Sequence, residues 1–163
     1  MHLSTIDRQI LELLQKDASL SAGQVGEAIG LSQSQCWRRI EKLQADGIIL
    51  RRVAKLDAKK LGLNVALFVQ IKLDRHGDNA IQAFRDAMLG FDEVVECHTV
   101  LGNVDFILKV ILPDLDSYER FLNERLSRLS MVKEMHTIIS LSELKGSDAL
   151  PLSMVPRSAP NAA

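Results

Sequence analysis

Ser21-Ala22-Gly23-Gln24 and Ser32-Gln33-Ser34-Gln35 give the same local instruction twice within a dozen residues. In each, the serine oxygen can accept from the third amide of a helix while the glutamine reaches back to the serine amide, which is a capping box. Two helix starts this close leave room for only a short first helix. Gly30 between them supplies the stop, because glycine takes a left-handed backbone without strain. Val25, Ala28 and Ile29 form the inner face of that helix. Cys36, Ile40 and Leu43 form the inner face of the next, which ends at Gly47. Upstream, Ser4 followed by Asp7 marks another start, and Ile6, Ile10, Leu13 and Leu14 give a buried stripe ending near Asp17. Three helices with a tight turn before the third make a helix-turn-helix.

Ser32 and Gln35 are explained by capping alone. The rest of the third helix is not. At about 100° per residue, Ser34, Gln35, Arg38 and Lys42 lie opposite Ile40 and Leu43. In helix-turn-helix proteins the N-terminal end of this helix enters the major groove, where serine and glutamine reach base edges and arginine reaches guanine or phosphate. Ser32, Gln33, Ser34, Gln35, Arg38 and Lys42 are therefore candidate DNA contacts, and Arg39, toward one flank, is placed against the DNA backbone. Trp37, on the other flank, is expected to pack against the first helix. Ile48, Leu50 and Val53 predict two short strands, a wing, or at least an extended basic arm carrying Arg51, Arg52 and Lys55. Charge agrees. The net charge of the 163-residue chain is −1, yet residues 32–60 hold 8 basic and 3 acidic side chains. A mildly acidic chain with one basic stretch fits nucleic-acid contact by that part alone.

After the linker 58–64 the pattern changes. Val65, Leu67, Val69, Ile71 and Leu73 alternate as in a strand. Asp78 opens a helix with Ile81, Phe84 and Met88 inward. Strands follow near 93–101 and over 104–112, joined by a Gly102-Asn103 turn. A helix near 116–129 buries Tyr118, Phe121, Leu122 and Leu129, and a last strand runs over about 132–142. The order βαββαβ predicts an α+β fold: one antiparallel sheet with two helices on one face, the ferredoxin-like plan. The other sheet face is left uncovered and partly apolar, so a second subunit is expected to cover it. The domains read as 1–57 winged helix-turn-helix, 58–64 linker, 65–145 ferredoxin-like domain, and 146–163 a mobile tail rich in proline, serine and alanine.

Little here supports catalysis. His98 and His136 fall on opposite edge strands, so one chain cannot chelate with both, and Glu96 and Asp105 make no clear pair. A metal site shared across a dimer interface is the alternative left open. No phosphate loop, catalytic residue or cofactor motif is evident. Cys36 and Cys97 form no metal spacing and read as two buried thiols in a reducing cytoplasm. No apolar run reaches membrane-spanning length, and the first residues lack the layout of a signal peptide. The turn in "TVLGNVDF" is explained by hairpin geometry alone. A functional reading adds that its amides can bind a carboxylate and Asp105 can face an ammonium, as a free amino acid requires.

"IDRQILELLQKDASLS", "GLSQSQCWRRIEKLQADGII" and "ECHTVLGNVDFILKV" together resemble the Lrp/AsnC, or feast/famine, transcription regulators over about residues 3–145. The resemblance implies a winged helix-turn-helix followed by a RAM-type ferredoxin-like domain, and double-stranded DNA as partner. It implies a homodimer paired through its sheets, assembling further, commonly to an octamer. It also implies an amino acid or related small molecule bound between dimers, near Thr99, Leu101, Gly102, Asn103, Val104 and Asp105, with Thr137 and Ile139 from the last strand. Asn103 stands where the family usually has aspartate, and Leu101 where it has a small residue. Three function classes follow: a ligand-responsive regulator of transcription, a sensing oligomer using its helix-turn-helix to bind protein, and an enzyme on the second domain. The basic arm argues against the second class, and the missing catalytic group against the third.

Overall fold

The computed structural model describes residues 3–74, 79–147 and 149–156 and divides into two units, residues 1–55 with 145–163, and residues 56–144.

The first unit holds helices α1 (Thr5–Lys16), α2 (Ala22–Ile29) and α3 (Gln33–Ala45), and each begins with the capping box its sequence contains, on Ser4, Ser21 and Ser32. Ile10, Leu11, Val25, Cys36, Ile40 and Leu43 form the core. Two glycines shape the turn between α2 and α3. Gly30 caps α2 with a left-handed φ of 73°. Gly26 is where α2 and the turn touch, since a β-carbon there would lie 2.7 Å from the carbonyl oxygen of Leu31. The expected wing strands over 48–53 do not form. The amides of Ile48 and Ile49 instead bond to the carbonyl of Leu43 and finish α3, with both side chains packed on the core. Residues 50–57 follow as an exposed basic arm, the other form expected of this stretch.

The mobile-tail expectation is corrected for residues 149–156. Leu152 is only 8% exposed and completes the core of the first unit. Arg8 of α1 donates to the carbonyls of Leu152 and Val155 at 2.6 and 2.9 Å. Gln15, two turns on, accepts from the amide of Leu150 at 2.6 Å. The apolar Leu152 and Val155 supply what composition concealed: burial strong enough to order a segment of otherwise loop-like residues. Residues 157–163 of the expected tail lie outside the described residues.

The second unit is a four-stranded antiparallel sheet in the order β2-β3-β1-β4, built from β1 (Val65–Leu73), β2 (Val94–Thr99), β3 (Phe106–Leu112) and β4 (Val132–Ser140). Helices α4 (Ala80–Leu89) and α5 (Leu115–Glu124) contribute Phe84, Met88 and Phe121 to the core. Alternation puts Leu67, Val69, Ile71 and Leu73 of β1 and Phe106, Leu108, Val110 and Leu112 of β3 into that core. Ile81 is not inward but 52% exposed. Ala80 and Ala87 pack beside Phe84 and Met88 and turn the buried stripe away from it. The expected helix start at Asp78 lies outside the described residues.

The opposite sheet face is mixed. Register aligns Phe68 with Lys109 and Ile138, and Gln70 with Ile107 and His136. Phe68 and Ile138 are 38% and 43% exposed there. Beside them Glu96 pairs with Lys109 at 3.1 Å and lies 3.2 Å from His98. The hydrogen bonds to His98 and Lys109 hold the Glu96 carboxyl below its ordinary range.

Candidate DNA interface and effector site

α3 presents its capping residues and its outer face differently. Ser32 Oγ accepts from the amide of Gln35 at 3.3 Å, and Gln35 Oε1 accepts from the amide of Ser32 at 3.2 Å, so both serve the helix start. Gln33, Ser34, Arg38 and Lys42 are exposed. Arg38 has no carboxylate within ion-pair reach among the described residues, leaving its five donors available. Lys42 pairs with Asp46 at 3.0 Å along the helix surface, an exposed pair of little strength.

Arg39, whose flank position led to the expectation of a DNA-backbone contact, is engaged with α1 instead. Its guanidinium donates to Asp7 of α1 at 2.8 Å and reaches Ser4 Oγ at 3.4 Å. One residue thus joins the capping box of α1 to the middle of α3. Burial raises the Asp7 carboxyl, but the hydrogen bonds from Ser4 and Arg39 and the Arg39 charge together outweigh it and hold that carboxyl below its usual range. The same geometry corrects Trp37. It lies roughly 160° around α3 from Arg39, and α1 occupies the Arg39 flank. Trp37 is therefore 55% exposed rather than packed on α1. In the arm, Arg51 is exposed, and Arg52 donates to the carbonyl of Ala18 at 3.1 Å.

In the second unit the connection from β2 to β3 is longer than a two-residue hairpin. Thr99 pairs with Phe106, and the turn between them is closed by a bond from the amide of Val100 to the carbonyl of Asp105 at 3.0 Å. Leu101 at its tip is fully exposed, and Gly102 and Asn103 are exposed beside it. Asp105 faces inward instead of toward an ammonium. One carboxylate oxygen accepts from the amide of Leu73 at 2.9 Å, and its own amide donates to the carbonyl of Ile71 at 2.8 Å. It ties the turn to the end of β1, whose last amide has lost its strand partner. Val104 is half-buried next to it.

Thr137 and Ile139 are not near this turn in one chain. β4 and β2 are opposite edges of the sheet, about 14 Å apart at ordinary strand spacing. Thr137 is hydrogen-bonded to the hydroxyl of Tyr118, and Ile139 is half exposed. A cleft of about 270 Å³ in this unit is lined by residues such as Glu93, Ser117, Arg120 and Arg125, and by none of the expected effector residues. The residue that sequence reasoning missed is Arg85 of α4, whose guanidinium donates to Thr99 Oγ1 at 3.3 Å. Its only sequence signal was a place on the same flank of α4 as Ile81. Among the described residues no group of three His, Cys, Asp or Glu side chains could hold a metal ion, and no helix is long and apolar enough to cross a membrane.

Comparison with known proteins matches residues 3–49 to a winged helix-turn-helix DNA-binding family and residues 66–150 to the Lrp/AsnC ligand binding domain. The chain is 37% identical to the glutamate uptake regulatory protein of Zymomonas mobilis, over 92% of this chain and 91% of that one. An AsnC family transcriptional regulator from Agrobacterium tumefaciens superposes with a TM-score of 0.89 at 33% identity, covering 94% of this chain and 100% of that one. A Neisseria meningitidis transcriptional regulator, solved as a complex with L-Met, superposes with a TM-score of 0.89 at 26% identity over 93% and 97% of the two chains. With its helix-turn-helix unit and its antiparallel sheet in the matching order, this chain belongs to the Lrp/AsnC family of DNA-binding transcription regulators.

Proposed function

We propose that the protein binds specific double-stranded DNA in the cytoplasm and regulates transcription without catalysing a reaction, under the control of an amino acid or related metabolite. The observation that carries the DNA part is the outer face of α3, where Gln33, Ser34 and the unpaired Arg38 stand together at the N-terminal half of the helix. Those groups suit base edges in the major groove, while Arg51 on the arm suits the phosphate backbone. Ser32, Gln35 and Lys42 support the surface from the helix start and its last turn, and Arg52 from the arm.

Homodimers form through the uncovered sheet face, where Phe68 and Ile138 give apolar area beside the Glu96–Lys109 pair. Dimers assemble further, to an octamer, and the effector binds where two dimers meet. One chain then supplies Thr99, Leu101, Gly102, Asn103 and Val104, and another supplies Thr137 and Ile139. Their separation across the sheet supports a site shared between chains. The relative solved with L-Met supports an amino-acid effector.

The test is a genomic selection of bound DNA, followed by titration of a selected site at several salt concentrations. The expected result is site-specific binding whose affinity falls steeply with salt, as counterions are released. Affinity independent of salt, or no selected sequence, overturns the DNA reading in favour of a protein-binding helix-turn-helix.

A further inference from the structure

We propose that Arg85 is the carboxylate anchor of the effector site, so that this chain selects its effector by the carboxylate more than by the ammonium. The inference rests on the reading of the 99–105 turn as part of an amino-acid site. Arg85 lies on the exposed flank of α4 and reaches the last residue of β2, Thr99, at 3.3 Å. Its charge also acts on Cys97, two residues earlier on the same strand and exposed rather than buried as the sequence suggests, where it opposes the partial desolvation that raises that thiol. It therefore stands beside the mouth of the turn.

Its charge is uncompensated. Arg39 is paired with Asp7 at 2.8 Å and Arg125 with Glu93 at 3.0 Å, whereas Arg85 has no carboxylate within ion-pair reach among the described residues. One contact to a neutral hydroxyl leaves most of a guanidinium's five donors available. A planar fork of N–H groups matches a carboxylate with two parallel bonds. Asp105, the residue first assigned to the ammonium, is engaged with the amide of Leu73. Asn103 adds no negative charge to the turn. A cation open to a ligand thus stands beside the turn, on a side chain fourteen positions away from Thr99 in sequence. The chemical class favoured is a small monocarboxylate: an α-amino acid, or the 2-oxo acid of the same skeleton.

Calorimetry on the full-length protein tests this with L-methionine, L-leucine and L-glutamate, and with the α-amide and 2-oxo acid of whichever amino acid binds. For wild type, the α-amide is expected to bind at least roughly 10-fold more weakly than the acid, and the 2-oxo acid within a few-fold of it. Arg85→Gln is expected to weaken the amino acid by roughly 10- to 100-fold, and Arg85→Lys to recover part of that loss. Thermal unfolding without amino acid checks that both variants are folded. Wild-type protein that binds one of the three amino acids while Arg85→Gln binds it equally well overturns the anchor and leaves the effector reading standing. An α-amide that binds as tightly as the acid does the same. Wild-type protein that binds none of the three overturns both.

Discussion

The outer face of α3 and the turn after β2 are both exposed and adjacent to an arginine without an ion-pair partner among the described residues, but they differ in what each could hold. DNA is large and is read by a convex helix surface, so one element suffices to carry the contact residues. A small molecule has to be enclosed on most sides to be held, and the turn that carries Leu101 projects into solvent. The difference shows in how each region uses charge. On α3 neighbouring arginines differ: Arg39 fastens α3 to α1, and Arg38 has no carboxylate within ion-pair reach among the described residues. At the turn the acidic residue does the fastening and the cation is left over. In both, one charged group holds the scaffold, and the group beside it has no ion-pair partner among the described residues.

Substitutions can break this comparison. The largest effect is expected on assembly. Phe68→Asp replaces apolar area on the open sheet face with a charge that a covering subunit would have to bury, and sedimentation should then show a species near the 18.1 kDa of one chain, with no amino-acid response. A variant that still sediments with wild type would remove Phe68 from the interface, and a one-chain species that still responds would place the effector site within a single chain. Next is Arg38→Ala, expected to lose about 1–3 kcal/mol of specific DNA affinity and to relax preference at one base pair. Arg39→Ala, one residue on, should leave sequence preference intact. Its cost should appear as a lower melting temperature, of no more than about 1 kcal/mol because the pair is partly exposed. Equal losses of specificity in the two variants would erase the division of labour on α3.

Asp105→Ala should cost roughly 1–3 kcal/mol of stability in the second unit, by stripping the partner from the Leu73 amide. A variant of unchanged melting temperature that fails to bind amino acid would return Asp105 to the ligand. The smallest effect is in pH. The Asp7 carboxyl is held below its unfolded value near 3.8, so its contribution is fully present above that value and is lost as pH falls through the folded one. Acid unfolding followed by near-ultraviolet signals of the first unit should shift to higher pH in Asp7→Asn, which lacks the titrating group but keeps a hydrogen-bond acceptor. Coincident acid curves for variant and wild type would remove the charge from the α1–α3 fastening.

What could be read without coordinates was local. Capping boxes span four residues, and the buried faces of α1, α3 and β1 follow from periods of 3.6 and 2, so elements and core were legible. Which flank of α3 meets α1 was not, because it depends on how two helices dock, and so Arg39 and Trp37 were assigned to the wrong neighbours. Asp105 was recognised as charged but not as bonded to Leu73, since that contact crosses from one strand to another. Arg85 was invisible for the same reason, and Leu152 because a tail's composition hides one residue that a distant core needs.

That last residue has a consequence for how the protein is made. Arg8 and its acceptor Leu152 are separated by 144 positions. At a translation rate of about 5–20 residues per second, α1 emerges roughly 7 to 30 seconds before the segment that seals it. The second unit, built from continuous chain, is already synthesised by then. The unit that begins first is therefore finished last, and a nascent chain carries three helices with an open seam until its far end has cleared the ribosome.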